Sequence, residues 1–174
     1  MKQWNVWCAD LLLLWCATAS CRDSVGESPV PAGYVTYSCT LATVNEVMEQ
    51  GSPQPSIEVQ GGYVRCYDLT KRMGNESWGT GGLLLVHGYD ATTFYAYDLA
   101  CPNCYATYGS SASKLHQLDM ADDGQTAICP DCESEFGAIF WGSPAPTAGP
   151  ANQNNYVLRQ YRATLVGDKL VVRN

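Results

Sequence analysis

The sequence predicts an all-β protein, an antiparallel sandwich or barrel, and three observations carry the prediction. Short apolar stretches rich in Val, Thr, Tyr and Phe recur along the chain, as strands require. Clusters of Gly, Pro, Asn and Asp punctuate them at short intervals, the pattern of many short strands joined by turns. Helical spacing of apolar residues is confined to residues 42–50.

Taken in order, residues 34–41 (Tyr-Val-Thr-Tyr-Ser-Cys-Thr-Leu) and 63–67 (Tyr-Val-Arg-Cys-Tyr) each follow a glycine and read as strands. Residues 42–50 form a short helical turn, the Gly-Ser-Pro-Gln-Pro run at 51–55 a loop, and residues 71–82 another loop. Residues 83–87 (Leu-Leu-Leu-Val-His) are continuously apolar up to the histidine, which suits a strand covered on both faces. Residues 88–92 then turn the chain into a strand at 94–98. Residues 105–117 lack periodicity and read as a loop; residues 126–128 lead into a second turn and 136–141 form a further strand. Three prolines make 141–150 a rigid, extended loop, since each fixes its own backbone and restricts its predecessor. Residues 156–165 and 170–172, joined through Gly167-Asp168, close the domain as a hairpin.

The chemistry lies in two matched pairs, Cys101-Pro102-Asn103-Cys104 and Cys129-Pro130-Asp131-Cys132, separated by 24 residues. A turn with Pro after its first Cys holds two sulfurs on one side of the backbone. Two such turns face to face make a tetrahedral four-thiolate site with metal–sulfur bonds of about 2.3 Å. Such a site accepts zinc, a single iron or an iron–sulfur cluster, and spacing does not choose among them. Two metal-free readings use the same residues. Exported cysteines tend to oxidise, so the four can form disulfides. A thiol-exchange motif needs a helix starting at its first Cys, and residues 105–111 and 133–137 are poor helix formers.

Other classes are bounded by composition. With a net charge of −7 and ten Lys and Arg in no run, the chain lacks the clustered positive charge that nucleic acid demands. No nucleophile and base stand together as a hydrolase needs, and the two histidines fall outside both cysteine turns. His87 ends an apolar strand and reads as a satisfied core or edge residue; His116 reads as a surface residue of the spacer. Cys39 and Cys66, on separate strands, are either a disulfide or two buried thiols. Trp141, just before the proline loop, is placed to help cover the site.

Residues 1–20 read as an export signal, with Lys2 in a positive n-region, an apolar centre at 11–15, and small residues Ala19-Ser20 ahead of Cys21. This junction resembles the lipobox of bacterial lipoproteins, which implies that Cys21 is lipidated and that the mature protein is held at a membrane of the cell envelope. Residues 21–33, rich in Ser, Gly and Pro, read as a tether. About 154 residues remain after cleavage, enough for one domain that buries roughly two-thirds of its unfolded surface.

The order of parts over residues 94–174 resembles the Rieske iron–sulfur domain. A strand enters a first metal-binding turn; a second turn follows after a spacer, with Ser134 and an aromatic at Phe136 close behind; a glycine-proline loop and a closing hairpin complete it. The resemblance implies a Rieske-type body at 34–174 with a two-turn, rubredoxin-like metal-binding tip at about 99–151. It further implies that Ser134 donates to the centre, that Phe136 stands where higher-potential members carry Tyr, and that Pro150 lies in a shielding loop. The family's turns end in His, whereas this chain has Cys104 and Cys132. A [2Fe–2S] cluster on four thiolates is more negative by two charges and of low potential. The expected function is therefore an exported low-potential electron carrier with a redox partner protein. The competing reading is a non-redox envelope protein whose four-Cys site holds structural Zn2+.

Overall fold

Every residue of the strand at Leu83–His87 is buried, and its two faces look into two different cores. Leu83 and Leu85 point into one, with Val35, Tyr37, Val64, Trp78, Phe94, Ala96, Leu170 and Val172. Leu84 and Val86 point into the other, with Tyr97, Leu99, Leu118, Phe136, Ile139 and three of the four paired cysteines. A strand between two layers has no wet face, so its sequence runs apolar without alternation. Each fully buried Leu contributes about 1.5–3 kcal/mol relative to an exposed one.

The structure, a computed structural model, describes residues 26–42, 56–109 and 116–174. Among them, β1 (Val35–Thr40), β2 (Tyr63–Cys66), β3 (Ser77–Trp78), β4 (Leu83–His87), β5 (Phe94–Asp98), β9 (Gln160–Val166) and β10 (Lys169–Arg173) make a seven-stranded sheet in the order β2-β4-β5-β9-β10-β1-β3. All of these pairings are antiparallel, and the sheet curls into a nearly closed barrel. A second, three-stranded sheet of β6 (Asp119–Met120), β7 (Ala127–Ile128) and β8 (Glu135–Phe136) lies against the outer face of β4 and β5. The all-β antiparallel class expected from the sequence is the one found.

Several local expectations are corrected. The loop at 71–82 contains β3, which pairs Trp78 with Val35; two residues are too few to show alternation. The loop expected at 105–117 begins as a helix, α1 (Pro102–Tyr108), with Pro in its first turn and Gly109 (φ 66°) ending it. Proline gives up no helical hydrogen bond there, and glycine takes the positive φ without strain. The strand expected at 136–141 is only β8, followed by a 3-10 turn at Ile139–Trp141. The loop at 141–150 is extended but ends in a second short helix, α2 (Gly149–Gln153). The tether's latter part lies on the domain: Val30 is buried, and Arg159 donates to the carbonyls of Ser28 and Val30. The export signal, Cys21, most of the helical turn at 42–50 and the loop at 51–55 lie outside the described residues.

One buried carboxylate ties the barrel to the first cysteine turn. Asp98, the last residue of β5, accepts the N–H of Thr80 (2.7 Å), Gly81 (2.8 Å) and Ala100 (2.8 Å) and the hydroxyl of Tyr161 (2.7 Å). Burial pushes its carboxyl above the usual range, and these four donors oppose that shift. Asp98→Ala strands the donors of Gly81 and Ala100 in the interior, and the expected cost is about 3 kcal/mol. Tyr161→Phe removes one donor and is expected to cost about 1 kcal/mol, both read from denaturant unfolding.

Candidate metal centre

Each half of the site is delivered by a different device. Past Asp98, Leu99 N–H bonds Gly82 O (3.0 Å), and the returning chain pins the other side through Leu118 N–H to Leu99 O (2.8 Å) and Cys101 N–H to His116 O (3.0 Å). Cys101 then caps α1, which carries Cys104 one turn on. The second half is the tip of the β7–β8 hairpin. It is closed by Cys129 N–H to Ser134 O (2.9 Å) and Glu133 N–H to Cys129 O (2.8 Å), with Glu133 at φ 57°.

The four sulfurs converge. Cys101 Sγ lies 3.6 Å from Cys132 Sγ and Cys104 Sγ 3.7 Å from Cys129 Sγ, and all four lie within 4.8 Å of one another. These separations are far beyond a disulfide's bond of about 2.0 Å, and the six cysteines of the described residues are free thiols. They match the edge of a tetrahedron of about 3.8 Å built on metal–sulfur bonds of about 2.3 Å. Four cysteines close together in this way can bind a metal ion.

Hydrogen-bond donors surround the sulfurs as a charged centre requires. The backbone N–H groups of Asp131 and Cys132 point at Cys129 Sγ, and that of Cys104 at Cys101 Sγ. Without metal, the Cys101 thiol donates to Cys129, pulling Cys129 down to about 5 while raising Cys101. Burial raises Cys104 as well. Ser134, fully buried, accepts the N–H of Ala151 (3.0 Å), and its hydroxyl lies 3.1 Å from Cys132 Sγ, placed to donate once that sulfur is a thiolate. Phe136 is buried in the core behind the hairpin.

Pro150 opens α2 instead of sitting in an extended loop, and α2 leans on both halves: Ala151 through Ser134, and Asn154 through Asn103 (3.0 Å) in α1. Gly149 (φ 75°) is required there, because a Cβ would strike the carbonyl of Glu133. Trp141 does not cover the centre. It is 72% exposed and packs on Tyr89, with ring centroids 4.9 Å apart. His87 lies in the core, with Nδ1 2.9 Å from Ile57 O and its ring stacked on Phe94, but it is only half satisfied, because its Nε2 is buried without a partner.

His116 is not a plain surface residue. It stacks on Tyr108, and its Nδ1 lies 2.7 Å from Asp131 Oδ2, joining spacer to second turn. Sequence reasoning missed this link and the one through Asn103 and Asn154; the only local signal was an acid inside the second cysteine turn. The helix at Cys101 also removes the ground on which the thiol-exchange reading was discounted, although the other two sulfurs remain beside that pair. No protein-family model, curated protein or solved structure matches this chain.

Two outcomes follow from the geometry. Ser134→Ala loses a donor to sulfur and leaves Ala151 N–H unpaired, so metal affinity is expected to fall 10–100-fold by chelator competition, the usual range for such supporting groups. Binding by four thiolates displaces at least the protons of Cys101 and Cys104, whose folded-state thiols are raised. Apparent affinity is therefore expected to drop by about 100-fold or more for each pH unit below neutrality, in the same competition run at several pH values.

Proposed function

We propose that the centre holds one tetrahedral metal ion, zinc, and that the protein is a non-redox, Rieske-like envelope lipoprotein whose tip is fixed by that ion. The observation that carries this reading is the closeness of all four sulfurs, within 4.8 Å of one another. A [2Fe–2S] cluster sets its two cysteine pairs on two irons, which separates the pairs by more than one ion's ligands need. Among single ions, zinc binds a given sulfur set more tightly than ferrous iron. The ion joins α1 to the β7–β8 hairpin, and its binding energy adds to the stability of the fold.

The iron reading keeps one observation in its favour, the Ser134 hydroxyl aimed at Cys132 Sγ, since donors to sulfur tune iron–sulfur potentials. On that reading the protein is a low-potential electron carrier serving a redox partner protein, and Phe136, without a hydroxyl, leaves the potential low. Anaerobic purification separates the two. A colourless protein with one equivalent of zinc is expected, whereas visible charge-transfer bands with two irons per chain refute the zinc assignment. Export and lipid anchoring at Cys21 have their own test: Cys21→Ala is expected to abolish lipid modification and release the protein from the membrane fraction, and unchanged mass and membrane association count against the anchor.

A further inference from the structure

The outward face of β1, β10 and β9 inverts the charge of the molecule. Leu170, Val172, Val35, Tyr37 and Tyr161 point inward, so the alternate residues form a surface set by the register. One cross-strand row reads Thr36, Arg173, Arg162; the next Ser38, Val171, Thr164; the third Thr40, Lys169, Val166. Three cations and five hydroxyl or apolar neighbours lie there beside Thr40, with no carboxylate among the nine, in a chain of net charge −7.

Two features make this more than a solvated strand face. Arg162 and Arg173 stand directly opposite one another, a like-charge pair that destabilises a sheet. The ion pairs of the described residues use Arg65, Lys71 and His116 and leave both arginines without an acidic partner. Beside Arg173, a groove of about 470 Å3 is lined by Tyr34, Thr36, Ser38, Val171 and Asn174. Tyr34 is 70% exposed, and Asn174 holds the groove's end by accepting Val35 N–H and donating to Gly33 O.

We propose that a small anionic ligand binds where this groove meets the strand face, its phosphate or carboxylate group placed between Arg173, which lines the groove, and Arg162, opposite it on β9. An oxyanion there satisfies two guanidinium forks that otherwise repel. The hydroxyls of Thr36 and Ser38 suit further polar groups of the ligand, and the exposed Tyr34 ring offers a flat surface to its body. The site shares no residue with the cysteine centre, which is built where the chain leaves β5 and at the tip of the β7–β8 hairpin.

Isotope-labelled full-length protein, titrated with inorganic phosphate and separately with glucuronate to about 10 mM, tests the proposal through amide shifts. A saturable shift confined to β1, β9 and β10 with either probe is expected, weakened tenfold or more in Arg173→Gln and Arg162→Gln and diminished by added sodium chloride. A response to phosphate alone identifies a phosphate ester as the ligand class, and one to glucuronate alone an acidic sugar. Both variants change exposed side chains and remove a repulsion, so they are expected to fold with an unchanged or higher Tm, and phosphate to raise Tm only in the unsubstituted chain. No shift with either probe, or equal shifts in the variants, overturns the proposal.

Discussion

Four sulfurs held within 4.8 Å of one another cannot all ionise unless a cation stands among them. Each pair of thiolates about 4 Å apart repels by about 4 kcal/mol at an effective dielectric near 20, and four sulfurs make several such pairs. Protons meet this constraint in the metal-free chain, where the Cys101 thiol donates to Cys129, lowering one and raising the other, and burial favours the thiol form of Cys104. A divalent ion meets it more fully, because attraction at every vertex replaces a single shared proton. The convergence of the two turns is thus conditional on what lies between them, and the rest of the fold serves to make it possible.

The barrel supplies the rigidity. β4 and β5 are packed on both faces, so the outer layer, the small sheet with its hairpin, docks on a surface that has no freedom to shift. Asp98 transmits that rigidity to the first turn, gathering donors from Thr80, Gly81, Ala100 and Tyr161 at the point where the chain leaves β5 for Cys101. The second turn has no such anchor in the barrel. It relies on its own hairpin hydrogen bonds, on α2 through Ser134, and on the His116–Asp131 link from the spacer. Of the two halves, the second therefore gains more order from a bound ion.

What the sequence shows and what it hides divide along the range of the interactions. Strands such as Leu83–His87 and Phe94–Asp98 were readable because burial is written into each residue, and the cysteine turns because their spacing is local. Helix α1 was missed although Pro102 and Gly109 mark its two ends; seven residues carrying a cysteine, tyrosines and no apolar stripe leave periodicity nothing to report. β3 was hidden for the same reason at still shorter length. The partners of Asp98, the pairing of His116 with Asp131 and the facing arginines of β9 and β10 depend on register and on residues far away in the chain, so no window of sequence contains them. The resemblance of the turn order to a Rieske domain named Ser134 as a donor, and the hydroxyl does face Cys132; the chain departs from that pattern in Cys104 and Cys132, the positions that decide what the site holds.

With a divalent ion bound to four thiolates the centre still carries a charge of −2, and among the described residues the groups that face that charge are dipoles. Among the described residues no Lys or Arg lies between Arg72 and Arg159 in sequence, and Lys114 of the spacer falls outside them. The dipoles are the N–H bonds of Cys104, Asp131 and Cys132 and the hydroxyl of Ser134. These donors need partners in any case, since a buried N–H left unpaired is costly. Each turn, by curling its amides inward over its own first sulfur, meets its backbone's hydrogen-bonding demand and its ligand's charge with the same groups. The Cys-Pro-x-Cys pattern is therefore more than a way to space two sulfurs: the two residues between the cysteines bend the chain so that the amides after the first Cys face back onto it, and that is why a seven-residue helix and a hairpin tip, unlike in every other respect, present their thiolates in the same way.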